Sequence, residues 1–211
     1  MADLLIKPEA GSGNKLILQD QAGNAVLTTT DSGATIPVGV TGLGWRPVGS
    51  LQTTFSGSMW YITGFTDAFR IWMIQIDKML PANDGKECKI YFLKSATVDA
   101  TGTHEYASIN RDAGGVNDNQ SNTNFPYVTA SMGNSVERMS NGSIIVYNAR
   151  NTSSVVNATM QFNIVKNDGE VGTEVGSLTM NGADSEQIVG VRLSPWSGNW
   201  ASVSAQVYGL N

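Results

Sequence analysis

Alternating apolar and polar positions recur along most of the chain. In ATMQFNIV (158–165) every second residue from Met160 to Ile164 is apolar, as expected for a strand with one buried face. FRIWMIQID (69–77) and ECKIYFLK (87–94) are apolar on both faces, which is typical of strands inside a sandwich. The strands predicted for the body of the chain are 60–63, 69–77, 87–94, 106–110, 143–148, 158–165, 174–179, 187–193 and 202–210.

The first 44 residues have a different pattern. Alternation in 15–19 and β-branched residues in 26–30 predict two short strands, joined by a turn at 20–24 where Gly can adopt positive φ. DSGATIPVGVTGLG (31–44) contains four Gly and one Pro, which is typical of an extended arm or linker. An isolated hairpin is marginally stable in water, so we expect this part to dock on a partner, a neighbouring subunit or the main domain. We therefore predict an anchoring segment, 1–44, and a sandwich domain, 45–211.

Turn signals separate the predicted strands. They include Asp84-Gly85 and the NDG at 167–169, and the Asn-rich segment 111–124 is predicted to be a surface loop. The best helical candidate, SMGNSVERM (131–139), has an internal Gly-Asn pair and predicts a short turn at most. Strands without helices predict an all-β fold, an antiparallel β-sandwich of jelly-roll type preceded by the short N-terminal hairpin. The strand–helix alternation of TIM barrels and Rossmann folds is absent.

Composition and charge narrow the range of partners. Charged residues make up 15% of the chain, the net charge is −5, and the 13 Lys and Arg residues are scattered. Binding to nucleic acid needs clustered cations, so we expect no nucleic-acid partner. The sequence has no run of 18 apolar residues, so we expect no membrane insertion, and the apolar run near the N-terminus is too short for a secretory signal.

Residues that carry catalysis or bind metals are scarce. Cys88 and His104 are the sole residues of their types, so a zinc site built from several Cys or His is excluded. His104 lacks a nearby nucleophile motif, and Cys88 is predicted to be a small buried residue. Asp112 and Asp118 flank the Asn-rich segment and could hold Ca²⁺, although Asp and Asn also favour loops for backbone reasons. We expect no catalytic residue, no metal site and no cofactor.

Glycoside hydrolysis would need two facing carboxylates. The chain has no E-x-D-x-x-E strand, and Asp184 and Glu186 fall in a predicted turn, where charged side chains are solvated. The sequence therefore predicts a protein that is not an enzyme.

Tryptophan gives the main binding signal. SPWSGNW places Trp196 and Trp200 in a predicted loop between the last two strands, with Asn199 between them. Exposed Trp residues stack on sugars and anchor interfaces, so these three residues are the candidate ligand-binding residues. The interpretation that the sequence favours over ligand binding is that both rings cap the edge of the sandwich. Trp45, Trp60 and Trp72 are predicted to be core or interface residues.

Several stretches of the chain resemble virion structural proteins of tailed bacteriophages. NKLILQDQAGNAVLTTTDSGATI resembles the N-terminal segments of such proteins, and FRIWMIQIDKMLPANDGKECKIYF and NGSIIVYN are similar to parts of single-jelly-roll modules of tail fibres and other virion surface proteins. The ending IVGVRLSPWSGNWASVSAQVYGLN follows the closing pattern of those modules. Its matching residues are Ile188, Gly190, Val191, Leu193, Gly198, Asn199, Val207, Tyr208, Gly209 and Leu210.

The resemblance implies a non-enzymatic protein on the exterior of a virion, assembled in the host cytoplasm. Such modules are often trimeric, so we expect a homo-oligomer, a trimer, bound to other capsid or tail proteins, with a host-surface glycan as a further candidate partner. The role implied first is a tail fibre or receptor-binding tip attached through its N-terminal segment. Because the chain has no heptad run or shaft-like repeat, capsid decoration is the first alternative. A carbohydrate-binding, lectin-like module is the second.

Overall fold

The computed structural model is built from β-strands. It describes residues 17–19, 21–23, 25–30, 33–35, 44–54, 56–100, 103–112, 115–123, 129, 131–137, 139–151, 154–181 and 187–210; the side chains of 19, 25–30, 33–35, 103–104, 117–123 and 181 are left out of the description. These residues form fifteen strands and no helix. Accordingly, no helix within these ranges has the length and apolar character to cross a membrane. The all-β prediction is confirmed.

The chain divides into two compact units, Met1–Gly44 and Trp45–Asn211. In the first unit, β1 (Ile17–Gln19), β2 (Ala25–Thr30) and β3 (Gly33–Thr35) form a three-stranded antiparallel sheet. The predicted hairpin is present, and Gly23 has a φ of 86° in its turn. Within the segment predicted to be a linker or extended arm, from residue 31 onwards, Gly33–Thr35 form a third strand. Those residues pair with Thr28–Thr30 and complete the sheet.

The second unit contains a large sheet and a small sheet. The large sheet has the order β10-β9-β13-β12-β11-β6-β15-β4, and the small sheet has the order β5-β14-β7-β8. The strands of the large sheet are β4 (Arg46–Thr54), β6 (Ile71–Pro81), β9 (Thr103–Asp112), β10 (Gly115–Thr123), β11 (Ser140–Tyr147), β12 (Val156–Val165), β13 (Val171–Asn181) and β15 (Trp200–Leu210). Those of the small sheet are β5 (Trp60–Thr63), β7 (Cys88–Ser95), β8 (Val98–Asp99) and β14 (Gly190–Pro195).

The strand pairs of the second unit are nested. Strand β4 pairs with β15, β5 with β14, β6 with β11 and β7 with β8, all antiparallel. Two further antiparallel pairs, β15 with β6 and β14 with β7, join the nested pairs into the two sheets. Strands β12, β13, β9 and β10 extend the large sheet beyond β11. Pairing of the first strand of the unit with the last brings distant parts of the chain side by side.

The hydrophobic core lies between the two sheets. Trp72 on β6 stacks against Phe65, with ring centroids 4.9 Å apart, and meets Phe69 edge-on. The small sheet contributes buried side chains such as Ile90 and Phe92 to the same core cluster. Each such side chain stabilises the fold by about 1.5–3 kcal/mol when it leaves water. The alternation predicted for 158–165 is confirmed, because residues 160, 162 and 164 are buried and residues 159, 161 and 163 are exposed.

The Asn-rich segment 111–124 was wrongly predicted to be a loop. Strand β9 continues to Asp112, and β10 pairs with it over nine residues, from Gly115 opposite Asp112 to Thr123 opposite His104. Asn and Gly have low strand propensity, but the neighbouring strand supplies the backbone hydrogen bonds that hold them extended. Strands β4 and β8 were not predicted either. Strand β4 begins with Arg-Pro-Val-Gly, which lacks apolar alternation.

Candidate functional site

The predicted binding residues lie around the connection from β14 to β15. This connection is fixed by backbone hydrogen bonds at both ends. The amide of Trp196 donates to the carbonyl of Glu87 at 2.8 Å, and the amide of Ala82 donates to the carbonyl of Asn199 at 2.8 Å. Gly198 supplies the left-handed backbone of the turn, with a φ of 84°. A loop held in this way presents its side chains in a defined orientation.

Trp200 belongs to the core. Its ring is 1% exposed and meets Trp60 edge-on with centroids 6.5 Å apart. The indole nitrogen donates to the carbonyl oxygen of Leu193 at 3.3 Å, so the polar atom of this buried ring is satisfied. A ring in this position is out of reach of a ligand. The structure therefore leaves Trp196 and Asn199, of the three predicted residues, at the surface.

Trp196 is 52% exposed and forms the aromatic part of the site. The ammonium of Lys89, on β7, lies 3.7 Å from the centroid of its ring. A cation over the face of a Trp ring is attracted by the electrons of the ring, with an energy of about 0.5–1 kcal/mol at exposed sites. The pKa of Lys89 is lowered, first by burial and then by the positive charge of Arg192, while Glu87 acts in the opposite direction.

Two asparagine residues lie at or next to the turn that follows Trp196. Asn199 is exposed, and Asn83 lies so close to the turn that a Cβ atom added at Gly198 would stand 2.7 Å from its amide nitrogen. Amide groups donate and accept hydrogen bonds, so both residues can contact the hydroxyl groups of a ligand. We call Trp196, Lys89, Asn199 and Asn83 the Trp196 site.

A second cation–aromatic pair lies on the outer face of the small sheet. The guanidinium of Arg192, on β14, is centred 3.8 Å from the ring centroid of Tyr91, its cross-strand neighbour on β7. Arg192 also forms an ion pair with Asp99 at 2.8 Å and donates to the sulfur atom of Met59. Sequence reasoning missed both cations. The available signal was a charged residue between two buried ones, Lys89 between Cys88 and Ile90 on β7 and Arg192 between Val191 and Leu193 on β14.

The remaining residues considered for catalysis or metal binding are described in turn. Cys88 is fully buried, as predicted, and burial raises the pKa of its thiol, so the reactive thiolate is disfavoured. Asp112 forms an ion pair with Lys166. Within the described residues, no group of three or more His, Cys, Asp or Glu side chains could hold a metal ion. The side chains of His104 and Asp118, and residues 184 and 186 altogether, lie outside the described part of the chain.

In comparisons with known proteins, no family model matches this chain, and neither does any curated protein or solved structure.

Proposed function

We propose that the chain is a non-enzymatic structural protein on the exterior of a tailed-phage virion, with the role of a tail fibre or receptor-binding tip. The observation that carries the binding role is the exposed ring of Trp196 on a loop that backbone hydrogen bonds fix at both ends. Exposing a large apolar ring on a fixed loop costs free energy that a bound partner recovers. Trp is also among the residues most enriched at binding hot spots.

The strand pairing of the sandwich supports this proposal. A jelly roll is a long antiparallel hairpin of eight strands that wraps into two sheets, so its strands pair first with eighth, second with seventh, third with sixth and fourth with fifth. If β9, β10, β12 and β13 are insertions, the four nested pairs of the second unit follow this scheme. We therefore propose a jelly roll. This architecture occurs in viral capsid and lectin domains, which display binding loops on a rigid scaffold.

The two units suggest a division of roles. We propose that unit 1–44 attaches the protein to the particle by adding its short strands to the sheet of another virion protein. Unit 45–211 then presents the Trp196 site to the host surface. Assembly as a trimer would let three weak sites act together, because linked sites bind with a high effective concentration.

Deletion of residues 1–44 tests the attachment role. We expect residues 45–211 to remain folded, with a cooperative thermal transition, but to be absent from purified particles made with this variant. The matched variant is Trp196→Ala in the full chain, which should be incorporated normally and should reduce adsorption to host cells at least tenfold. Normal incorporation of residues 45–211 would contradict the role of the first unit.

Capsid decoration is the alternative role on the virion, and the position of the protein separates the two. Labelling of the full chain in intact particles should mark the tail if the protein is a receptor-binding tip. Label on the shell, together with normal adsorption by Trp196→Ala particles, would instead establish decoration and contradict the receptor-binding role.

A lectin-like module outside any virion is the second candidate function. The exposed Trp196 also favours this role, because a Trp ring offers sugars a large apolar face. Glycan binding that depends on Trp196, in a protein absent from purified particles, would support it over the virion role.

A further inference from the structure

Part of the outer face of the large sheet is apolar. On β6, Trp72 and Ile74 are fully buried in the core, so the residues that alternate with them face away from it. The neighbouring strands β11 and β15 pair with β6 in continuous register at this point. Six outward-facing, half-buried residues, which we call the outer apolar patch, form two rows across these three strands: Tyr147, Ile71 and Leu210 in one row, and Ile145, Met73 and Tyr208 in the next.

Polar residues border the outer apolar patch on two sides. On β12, Asn157 and Thr159 lie opposite Tyr147 and Ile145. Along the strands, the next outward-facing row consists of Ser143, Gln75 and Gln206. The patch itself contains no charged residue. An apolar patch with a polar rim is typical of a protein–protein interface, and Tyr and Met are enriched at the centre of such interfaces, where charged residues are scarce.

The edge of the sheet beside the patch is unsuited to strand addition. Strand β4 is the outermost strand next to β15. It carries Pro47, which has no backbone N–H, and its register with β15 shifts between Ala205 and Val207, near Gly49 with a φ of 69°. Proline and bulges both prevent another strand from pairing with an edge. A partner at this end of the sheet therefore packs against the face.

The arrangement of the six side chains fits a second copy of the chain. Tyr147 and Tyr208 occupy two diagonally opposite corners of the patch, and the aliphatic Ile145 and Leu210 occupy the other two. A two-fold axis that runs along β6, between two facing patches, places β11 of one copy over β15 of the other. Each Tyr ring then meets an aliphatic side chain. Because the patch is uncharged, it can face its own copy without repulsion, as a two-fold interface requires.

We infer that two copies of the chain associate through the outer apolar patch, around a two-fold axis along β6. An axis across the strands would overlap only two rows, because Ile71 begins β6 and Leu210 ends β15. The axis along β6 overlaps the strands over their length. It also brings Gln75 opposite Gln75 of the second copy, where the two amides can donate to and accept from each other.

This contact is independent of the trimer proposed above, since two trimers joined through it contain six chains. It uses the outer face of the large sheet, whereas the Trp196 site borders the small sheet. Pairing therefore leaves the Trp196 site of each copy uncovered, and a pair presents two such sites to a surface.

Sedimentation equilibrium of the full chain gives the number of chains in each particle. We expect a reversible equilibrium between single chains and pairs, or between trimers and hexamers if the proposed trimer forms. Met73→Lys and Met73→Glu each place two like charges face to face on the axis. Both variants should raise the dissociation constant of the pair at least tenfold.

A mixture of these two variants separates a contact at Met73 from damage to the fold. A Lys of one chain then faces a Glu of the other, so an equimolar mixture should associate at least tenfold more tightly than either variant alone. Ala107→Lys adds a charge at an exposed position on the outer face of β9, outside the patch, and should associate like the parent. Thermal melting establishes that each variant is folded.

Three results would overturn the inference. They are a parent that remains a single chain or a trimer at every concentration, association that survives both Met73 variants, and a mixture that associates no more tightly than either variant. All three leave the proposed virion role standing if the protein still requires residues 1–44 to enter particles. Loss of that requirement, with pairing intact, would instead contradict the proposed attachment and leave the two-fold contact in place.

Discussion

Two strand glycines control how closely neighbouring groups approach the backbone of the sandwich. A Cβ atom at Gly190 would collide with the backbone carbonyl oxygen of Ile62, on the adjacent strand β5. A Cβ atom at Gly209 would collide with the ring of Phe69, which packs against Trp72 in the core. The requirement for glycine at both positions is steric, since neither has a positive φ.

Gly190→Ala tests this steric requirement. We expect the free energy of unfolding to fall by about 2–3 kcal/mol, because the added methyl group meets backbone that cannot move without disturbing the sheet. Urea denaturation of the full chain measures the change. Gly172→Ala is the control, since the nearest atom to its Cβ would be the carbonyl oxygen of Arg111 at 3.3 Å. Equal losses in the two variants would show that close approach at Gly190 is not the cause.

The local sequence did not predict which individual side chains are exposed to solvent. Trp196 and Trp200 occupy one short motif, yet one ring is 52% exposed and the other 1%. The difference arises because β15 begins at Trp200, so that its ring turns into the space between the sheets beside Trp60. Where a strand begins depends on pairing with distant residues, which a local pattern does not contain.

The hairpin of β12 and β13 shows how charges hold neighbouring strands together. Lys166, directly after β12, donates to the carboxylate of Glu170 at 2.6 Å and also to that of Asp112, the last residue of β9. Its ammonium therefore links β9 to the hairpin across β13. These two acids raise the pKa of Lys166 above its ordinary value of 10.5.

We expect Lys166→Met to lower the free energy of unfolding by about 1 kcal/mol at neutral pH, since a partly exposed ion-pair network contributes about that much. A raised pKa means that the ammonium stabilises the folded state below pH 10.5 and that this contribution is lost as the pH rises further. Urea denaturation at pH 7, 9 and 11 should therefore show the difference from the parent shrinking at pH 11. Lys86→Met controls for the loss of one positive charge, and an identical loss there would contradict the role of the network.

Strand content was predictable where burial imposes alternation, as in β12, and less so at the edges of the sheets. Strand β10 has Val116 as its one large apolar residue and is the outermost strand beyond β9. Strand β4 carries Pro47 and Gly49, and all nine of its positions are exposed or half-buried. Edge strands are held largely by backbone hydrogen bonds to one neighbour. Their side chains therefore show little of the apolar–polar alternation from which a strand is predicted.

For unit 45–211 as a whole, the nested pairing places both of its ends on adjacent strands. Gly209 of β15 lies opposite Arg46 of β4, so a few added residues can join the end of β15 to the start of β4. Strands β4 and β15 are far apart in sequence. Their pairing is therefore expected to be a slow step in folding, because the chain loses conformational entropy before the contacts between the two strands form. The nested pairing also implies that folding depends more on keeping each strand unbroken than on the order in which the strands occur along the chain.

A circular permutant of residues 45–211 tests this implication. Joining the ends with a short linker and opening the chain between Asn167 and Asp168, in the exposed turn of the β12–β13 hairpin, keeps all the nested pairs. We expect a cooperative unfolding transition at a somewhat lower denaturant concentration, because the Lys166–Glu170 pair loses its covalent connection.

The control permutant is opened between Ile74 and Gln75, inside β6, which lies between β11 and β15 in the large sheet. This second permutant should show no cooperative transition, because it divides a strand that both neighbours need; two equally cooperative permutants would mean that the pairing of β6 does not determine the fold.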